Sequence, residues 1–370
     1  MIRRGRKGRT LALIERTARG VLEAIEEGRL PELAIPARSL ANVVYDEVRG
    51  HFELGPKTKA RSLGVRTARP FAQTLRLLAL SRELVRDGDF ATKREAYYVA
   101  KGWDDCRFDD QRASDAILDD IEALASRDGL SREALGFVPE SHGGSVAGAL
   151  TVFDDTPGLG PVEIDCTSLG SGAYTVPRSL EHLSFESDAE IVLAVETGGM
   201  FQRLSHHRFW ERVPCVLLEM GGVPSRATRR FARKLVEDLG LPLYVFTDCD
   251  PYGFANIYRT LKAGSGNAAH MSHFYAVPSA RFLGVTPQDI VDFGLEDAAQ
   301  PLTETDVKRG RDALANDPFF RAHPAWVAAI EQLLELGIRA EQQALAKWGL
   351  NFVIEEYLPR KLAAPERFLP

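Results

Sequence analysis

The strongest constraint on the fold is a repeated pattern of strand, glycine loop and helix that begins at Glu190. The apolar runs EIVLAVE, PCVLLEM and LPLYVFTD are each followed by a turn and then by a helical segment. Alternation at this spacing predicts an α/β domain that has a parallel sheet with flanking helices. Ligands of such sheets bind beyond the carboxyl ends of the strands, so polar side chains at those ends are the first candidates for a functional site.

Three carboxylates occupy these predicted strand ends. Glu196 ends the first run, and Asp248 and Asp250 end the third. A few carboxylates without a nearby cluster of histidine or cysteine are typical of magnesium, which shares its other positions with water and substrate phosphate. The alternative is that these acids only cap the helices that follow, which is a common role of aspartate. The full pattern, which ends in D-x-D-P-Y-G, favours the metal.

Composition and charge narrow the class of protein. The chain has 370 residues, of which 45% are hydrophobic and 26% are charged, and this predicts a globular protein with at least two cores. No run approaches the roughly 18 apolar residues of a membrane span, so we expect a soluble, cytoplasmic protein. A formal net charge of −6 argues against a protein that coats nucleic acid indiscriminately. The four cysteines lack a C-x-x-C pair, which predicts reduced thiols.

Three stretches are nevertheless basic: residues 3–9, 57–76 and 226–234. The second of them contains no carboxylate, so it predicts a positive surface in any secondary structure. A solvated face and a surface that contacts DNA are both consistent with this pattern. The sequence alone does not choose between them.

Three helices are predicted between residues 68 and 129. The second begins at Thr92, which has the S/T-x-x-E spacing of a capping box with Glu95, and the third covers residues 114–124. Glycines punctuate the apolar residues of 137–151, which predicts a strand-rich wing. These elements together predict an α+β winged-helix domain of the CAP-like kind.

The last hundred residues carry weaker signals. Residues 274–277 have the composition of a strand, and Gly284 and Pro287 are turn signals. The amphipathic run over residues 325–348 predicts a closing helix.

The strand-end pattern resembles the Toprim domain, the metal site shared by topoisomerases, bacterial-type primases and some nucleases. The sequences REAYY at 94–98 and PYG at 251–253 narrow this resemblance. Together they are similar to the A subunits of topoisomerase VI, the archaeal type IIB enzyme, whose relatives make meiotic double-strand breaks. The resemblance runs from about Ile35, through SLANVVYDE, to YLPRKL near the C-terminus.

The resemblance implies that Tyr98 attacks a DNA phosphate and becomes linked to a 5′ end. Arg94 lies four residues before Tyr98 and therefore on the same helical face, whereas Tyr97 would be a packing neighbour. A phenol with a pKa of about 10 is almost entirely protonated at neutral pH and needs activation. A nearby guanidinium and phosphate-bound magnesium would favour the phenolate.

The resemblance also implies an assembly. Tyr98 of one protomer would act with Glu196, Asp248 and Asp250 of the other, so cutting of double-stranded DNA would require a homodimer. The chain has no G-x-x-x-x-G-K-[ST] loop, so ATP is expected on a separate B subunit in an A2B2 enzyme. The predicted domains are an N-terminal extension (1–67) for docking of the B subunit and DNA contact, a winged-helix domain (68–152) and a Toprim domain (153–370).

The predicted function is that of an ATP-dependent type II DNA topoisomerase, which cuts and reseals DNA and thereby relaxes and decatenates it. One alternative is a meiotic-type transesterase that breaks DNA without strand passage. Thr197 stands where the meiotic relatives often carry lysine, which favours the topoisomerase branch. A Toprim nuclease or primase would use the same carboxylates without Tyr98. A winged-helix DNA-binding protein with an inactive metal site is the remaining alternative.

Overall fold

The chain is described by a computed structural model at residues 2–156, 158 and 160–370. The side chains of residues 2–4 lie outside the description, so Arg3 and Arg4 of the predicted basic N-terminal stretch are not covered. No helix within the described residues is long and apolar enough to cross a membrane.

Helices occur along most of the chain. The α-helices are α1 (Ile2–Glu26), α2 (Ala68–Asp87), α3 (Lys93–Ala100), α4 (Gln111–Ser126), α5 (Gly198–His206), α6 (Arg226–Leu239), α7 (Arg259–Lys262), α8 (Ser272–Tyr275), α9 (Pro287–Asp292), α10 (Glu304–Asn316), α11 (Pro318–Arg321), α12 (Pro324–Leu336) and α13 (Leu358–Leu362). Short 3-10 helices cover Leu40–Asn42, Asp104–Cys106, Arg132–Leu135, Phe209–Glu211, Gly266–Met271, Glu296–Ala298, Gln342–Trp348 and Pro365–Arg367, and π-helical turns cover Gly253–Tyr258 and Val353–Tyr357.

The strands are short. They are β1 (Glu32–Pro36), β2 (Val43–Asp46), β3 (His51–Leu54), β4 (Thr58–Ser62), β5 (Ala91–Thr92), β6 (Phe137–Val138), β7 (Ser145–Gly148), β8 (Thr151–Asp154), β9 (Val162–Asp165), β10 (Tyr174–Thr175), β11 (Leu183–Glu186), β12 (Ile191–Val195), β13 (Cys215–Glu219), β14 (Leu243–Phe246), β15 (Arg281–Gly284), β16 (Gln300–Pro301) and β17 (Ile338–Arg339).

The chain divides into two compact units. The first, which we call the helical unit, consists of the residues up to Val44 together with Phe52–Ser141 and Gly266–Phe274. The second, the sheet unit, consists of Tyr45–His51, His142–Ser265 and Tyr275–Pro370. Most of the predicted N-terminal extension therefore packs within the helical unit. The division after Ser141 precedes the predicted boundary at 152/153.

The helical unit contains the three helices that the sequence predicts. Helices α1, α2 and α4 surround a buried apolar core, and α3 packs against α4. The capping box is confirmed: the Thr92 hydroxyl accepts the Glu95 N–H, and the Glu95 carboxylate accepts the Thr92 N–H. Because both hydrogen bonds of the capping box form, they fix the start of α3, the helix that contains Tyr98.

The predicted strand-rich wing over residues 137–151 is not confirmed as part of the helical unit. Strands β7 and β8 belong to the sheet unit, where β7 pairs with β13. Gly144, one of the glycines within residues 137–151, allows close approach of two chain segments, since a Cβ there would lie 1.7 Å from the Glu219 carbonyl oxygen. In the helical unit, Phe137 of β6 pairs in parallel with Ala91 of β5.

The sheet unit is built on a mixed six-stranded sheet with the order β10-β7-β13-β12-β14-β15. The predicted parallel arrangement is confirmed for β12, β13 and β14. Strand β15 adds a further parallel strand that was not predicted, and β7 and β10 run antiparallel to their neighbours. Every residue of β12 is buried, as expected of a central parallel strand. A separate antiparallel sheet with the order β11-β8-β9 was not predicted.

Two predictions for the last hundred residues are corrected. Residues 274–277 are not a strand, because α8 ends at Tyr275 and the next strand is β15, which includes the predicted turn at Gly284. A short apolar run does not by itself distinguish a buried strand from a buried helix. The predicted closing helix ends at Leu336, after which the chain forms β17 and a short helix, Gln342–Trp348.

The acid-free stretch 57–76 does not present all of its charge to solvent. Asp120 of α4 has a side chain that is only 2% exposed, and it binds Lys59, Arg61 and Arg38. Burial opposes its ionisation, but the bonds from Lys59 and Arg38 outweigh burial and lower the pKa of Asp120. The basic residues of β4 therefore neutralise a buried carboxylate of the same unit.

We expect Asp120→Ala to lower the free energy of unfolding by about 3 kcal/mol, because it leaves a cluster of cations without its shared partner. Urea denaturation followed by tryptophan fluorescence measures this. Since the folded pKa is lowered, the contribution of Asp120 is present above its unfolded pKa and is lost as the pH falls through its folded pKa. The matched control is Asp109→Ala, whose side chain is 79% exposed beside Arg69 and whose loss should change stability by less than about 1 kcal/mol. Equal effects of the two variants would contradict this account.

Candidate active site

The register of the parallel sheet brings the ends of β12 and β14 together. Val195 pairs with Phe246, and the Glu196 N–H donates to the Phe246 carbonyl oxygen at 3.0 Å. Glu196 is thus the first residue beyond β12, while Asp248 follows two residues after β14. The predicted convergence of these acids at one edge of the sheet follows from this pairing.

Backbone amides hold one oxygen of each carboxylate. The Asp248 N–H donates to Glu196 Oε2 at 2.9 Å, and the Gln342 N–H donates to Asp248 Oδ1 at 2.8 Å. The Gly253 N–H donates to Asp250 Oδ1 at 2.6 Å. A Cβ at Gly253 would lie 2.8 Å from the Asp248 carbonyl oxygen. Any larger residue would clash there, which explains why the D-x-D-P-Y-G pattern has glycine at this position.

Burial and mutual repulsion disfavour the charged forms of these acids. Burial, followed by the charge of Asp248, raises the pKa of Glu196 to about 7. Burial raises the pKa of Asp248 to about 6, and the negative charge of Asp250 adds to this effect. The pKa of Asp250 is also raised, mainly by burial. A cation at this place would stabilise the ionised carboxylates.

The residues present fit a magnesium ion of the kind that binds few protein ligands. No three His, Cys, Asp or Glu side chains among the described residues are arranged to hold a metal ion together. Magnesium usually takes only one or two carboxylates and completes its shell with water and substrate phosphates. The charge of the site and its oxygen donors agree with this ion, and thiol and imidazole ligands are not needed.

Sequence analysis missed the contribution of the C-terminal part of the chain. Gln342 contacts Asp248, and Arg339 lies 4.0 Å from Asp250 and 3.6 Å from Asp306. Both residues fall within the run that was predicted to be one closing helix. No local pattern marks them, because Asp248 and Asp250 lie about ninety positions earlier in the chain.

Cys249, between the two aspartates, is fully buried, and its surroundings raise the pKa of its thiol well above the usual value, mainly through burial. Its backbone forms an antiparallel bridge with Ala340. A buried, protonated thiol is a poor ligand for a metal, so Cys249 acts only as a spacer between the two aspartates.

The candidate nucleophile lies in the helical unit. Tyr98 of α3 is 55% exposed, whereas Tyr97 is partly buried and packs against the core, as predicted for the two neighbours. Arg94 is exposed on the same helix. Lys101, which sequence analysis missed, places its Nζ 4.7 Å from the centre of the Tyr98 ring. A cation over the face of an aromatic ring is attracted to it, so Lys101 adds positive charge beside the phenol.

The third basic stretch, 226–234, is largely paired within its own unit. It forms the first part of α6, where Arg230 and Arg233 bind Glu237 and Lys234 binds Asp238. Arg226 donates to the Tyr275 hydroxyl at 2.8 Å. These contacts favour a structural role for this stretch.

Comparison with known families divides the chain into three matched regions. Residues 191–362 match the Toprim domain of the family formed by the topoisomerase 6 A subunit and Spo11. Residues 140–189 match "All-beta domain in DNA topoisomerase VI alpha subunit", which accounts for the antiparallel sheet of β8, β9 and β11. Residues 69–137, which include Tyr98, match "Type IIB DNA topoisomerase". The fold and these matches define the class: a type IIB DNA topoisomerase, which is an isomerase.

Curated relatives give the family within this class. The chain is 48% identical to the A subunit of type 2 DNA topoisomerase 6 from Methanocaldococcus jannaschii, over 95% of this chain and 94% of the relative. It is 38% identical to the subunit of the same name from Methanothermobacter thermautotrophicus, over 94% and 95% of the two chains. The corresponding subunit of Halobacterium salinarum is 37% identical over 91% of each. The chain belongs to the family of type 2 DNA topoisomerase 6 A subunits.

The burial of Cys249 leads to a test by thiol labelling. We expect DTNB to react quickly with Cys106, which is partly exposed, and slowly with Cys166, Cys215 and Cys249, which are buried. The native protein should thus release about one thiol equivalent before unfolding and all four in urea. A Cys106→Ser variant is the control and should show almost no fast phase. Fast labelling of Cys249 would mean that its thiol is accessible at the acidic site.

Proposed function

We propose that this chain is the DNA-cleaving subunit of a type IIB topoisomerase, which makes transient double-strand breaks through Tyr98 and reseals them after strand passage. The observation that carries the proposal is an exposed tyrosine on a capped helix with Lys101 over its ring, in a chain whose Toprim sheet places three acidic residues at its strand ends. Relaxation and decatenation of DNA would follow from strand passage.

The proposed reaction is a transesterification. Tyr98 Oη forms a bond to a backbone phosphorus, and the bond from that phosphorus to the 3′ oxygen breaks. The phenol loses its proton, and the 3′ oxygen gains one. The protein becomes linked to the 5′ phosphate, so the energy of the phosphodiester is kept for resealing by the reverse reaction. Lys101, whose Nζ lies over the Tyr98 ring, and Arg94, one turn earlier on α3, would favour the phenolate and the developing charge on the phosphate.

Glu196, Asp248 and Asp250 would bind Mg²⁺ at the carboxyl ends of β12 and β14, one or two of them directly and the rest through its water shell. When bound, Mg²⁺ would supply Lewis acidity toward the phosphate that is cut. The backbone amides of Asp248, Gln342 and Gly253 each bind one oxygen of a carboxylate. These bonds fix the orientation of each carboxylate and therefore the position of its second oxygen. Their raised pKa values support the binding of a cation.

The assembly that suits this function is a homodimer in which Tyr98 of one protomer acts with the carboxylates of the other. A separate B subunit would bind ATP and complete an A2B2 enzyme on double-stranded DNA in the cytoplasm. Helices α2, α3 and α4 would act as the winged-helix, CAP-like part. The residues before α2 would dock the B subunit, and the basic end of α1 would contact either that subunit or DNA.

The nucleophile is tested by trapping. The chain, a topoisomerase VI B subunit, ATP, magnesium and supercoiled DNA are incubated and then denatured, and protein attached to 5′ ends is measured. We expect Tyr98→Phe to abolish the adduct, because it removes the attacking oxygen. Tyr97→Phe is the matched control and should keep it, since Tyr97 packs against the core. An adduct that persists in Tyr98→Phe would refute the assignment, and relaxation by the isolated chain without ATP would refute the two-subunit proposal.

The carboxylates are tested by separating cleavage from binding. We expect Asp248→Asn and Asp250→Asn to slow cleavage by roughly a hundredfold or more, because they remove charge that the metal requires. DNA affinity, measured by fluorescence anisotropy, should change little. Asp155→Asn, at an exposed position of the sheet unit, is the control and should cleave as the wild type does. Unchanged cleavage in both site variants would remove these residues from the proposed mechanism.

A further inference from the structure

A segment of four residues, 339–342, lies directly behind the D-x-D tripeptide, and we call it the backing segment. Its Ala340 exchanges two backbone hydrogen bonds with Cys249, at 2.8 and 3.2 Å. Cys249 thus faces the protein interior, and its neighbours Asp248 and Asp250 lie on either side of a bridged position. The backing segment therefore fixes the main chain from which both aspartates project.

Gln342, the last residue of the backing segment, is fully buried and links both acid-bearing loops. Its backbone N–H donates to Asp248 Oδ1, and its side-chain Nε2 donates to the Phe246 carbonyl oxygen at 2.9 Å. Its Oε1 accepts the Thr197 hydroxyl at 3.1 Å, and Thr197 directly follows Glu196. One side chain is therefore bonded to the end of β14 and to Thr197, two residues after the end of β12.

We propose that Gln342 is a positioning residue that holds the Glu196 loop and the D-x-D loop at a fixed separation and thereby sets the affinity of the site for a divalent cation. The amide provides both the donor for Phe246 and the acceptor for Thr197, and it adds no negative charge beside carboxylates that already repel one another. Residues that orient metal ligands through hydrogen bonds typically change metal affinity by about 10- to 100-fold when they are replaced. The inference rests on the proposed metal site.

Gln342→Met is the direct test, because it keeps the length of the side chain and removes both of its hydrogen bonds. The backbone bond to Asp248 remains, the Phe246 carbonyl keeps its bond from the Glu196 N–H, and Thr197 keeps the helix-capping bond from the Met200 N–H. Each group that the amide contacts thus retains another partner, so the variant should fold. Gln343→Met, at the exposed neighbouring position, is the matched control.

The readout is binding of Mn²⁺ to the full chain, measured by electron paramagnetic resonance of the free ion, so it does not depend on activity. We expect Gln342→Met to weaken Mn²⁺ binding by about tenfold or more and Gln343→Met to leave it unchanged. In the cleavage assay, Gln342→Met should need a correspondingly higher Mg²⁺ concentration for half-maximal rate and approach the wild-type rate at saturation. A lower rate at saturation with an unchanged Mg²⁺ midpoint would overturn the proposal.

A second pair of variants covers the case in which Gln342→Met does not fold. Thr197→Val removes the hydroxyl that donates to Gln342, whereas Thr197→Ser keeps it. We expect Val, and not Ser, to weaken Mn²⁺ binding, and the effects of Thr197→Val and Gln342→Met to be less than additive, because both break the same link. Equal binding by the Val and Ser variants would overturn the role of the link.

The outcomes separate this inference from the proposed function. If the wild type binds Mn²⁺ and Asp248→Asn does not, but Gln342→Met binds as tightly as the wild type, then the metal site stands and the positioning role is refuted. If the wild type binds no Mn²⁺, or if Asp248→Asn binds it equally well, then the proposed metal site fails and the role of Gln342 fails with it.

Discussion

The hydrogen bond from the Glu196 N–H to the Phe246 carbonyl oxygen fixes the position of the end of β12 relative to the end of β14. The arrangement of the acidic residues depends on this bond. The parallel register of Val195 with Phe246 brings both strands to the same edge of the sheet. The Glu196 carboxylate then lies within reach of the Asp248 N–H. Because side chains alternate between the faces of a strand, a shift of one residue would turn the acids away from each other. The buried residues of β12 oppose such a shift, since it would move apolar side chains out of the core.

The sheet unit holds its carboxylates together mainly through backbone dipoles. The positive ends of N–H dipoles, from Asp248, Gln342 and Gly253, contact the three acids, while the Arg339 guanidinium lies 4.0 Å from Asp250. These dipoles stabilise the carboxylates only in part, since the pKa values of Glu196 and Asp248 remain raised. The fold thus fixes the positions of the acids while leaving a net negative charge that a bound cation would balance.

The sequence predicted those parts of the molecule whose signals are local. Three parallel strands, the acids that follow them and the capping box at Thr92 all depend on residues a few positions apart, and each was predicted correctly. The predicted wing is not confirmed, because Gly148 of β7 pairs with Val216 of β13, about seventy positions later in the chain. The backing segment was missed for the same reason, since Ala340 meets Cys249 through tertiary pairing that leaves no periodic pattern in either segment. The short apolar run around Tyr275 was predicted to be a strand, but α8 ends there, because such a run fits a buried helix as well as a buried strand.

Local charge in the sequence overestimates the positive surface of the folded chain. Lys59 and Arg61 bind the buried Asp120, and the cations of α6 bind acids one turn further along the same helix. A charged residue that balances a neighbour within its own unit contributes little field at a distance, because the opposite charge lies a few ångströms away. Lys101 differs, because it lies over the ring of an exposed tyrosine and is itself exposed. The position of a cation relative to Tyr98, rather than the number of cations in a stretch, therefore decides which of them can act on a phosphate.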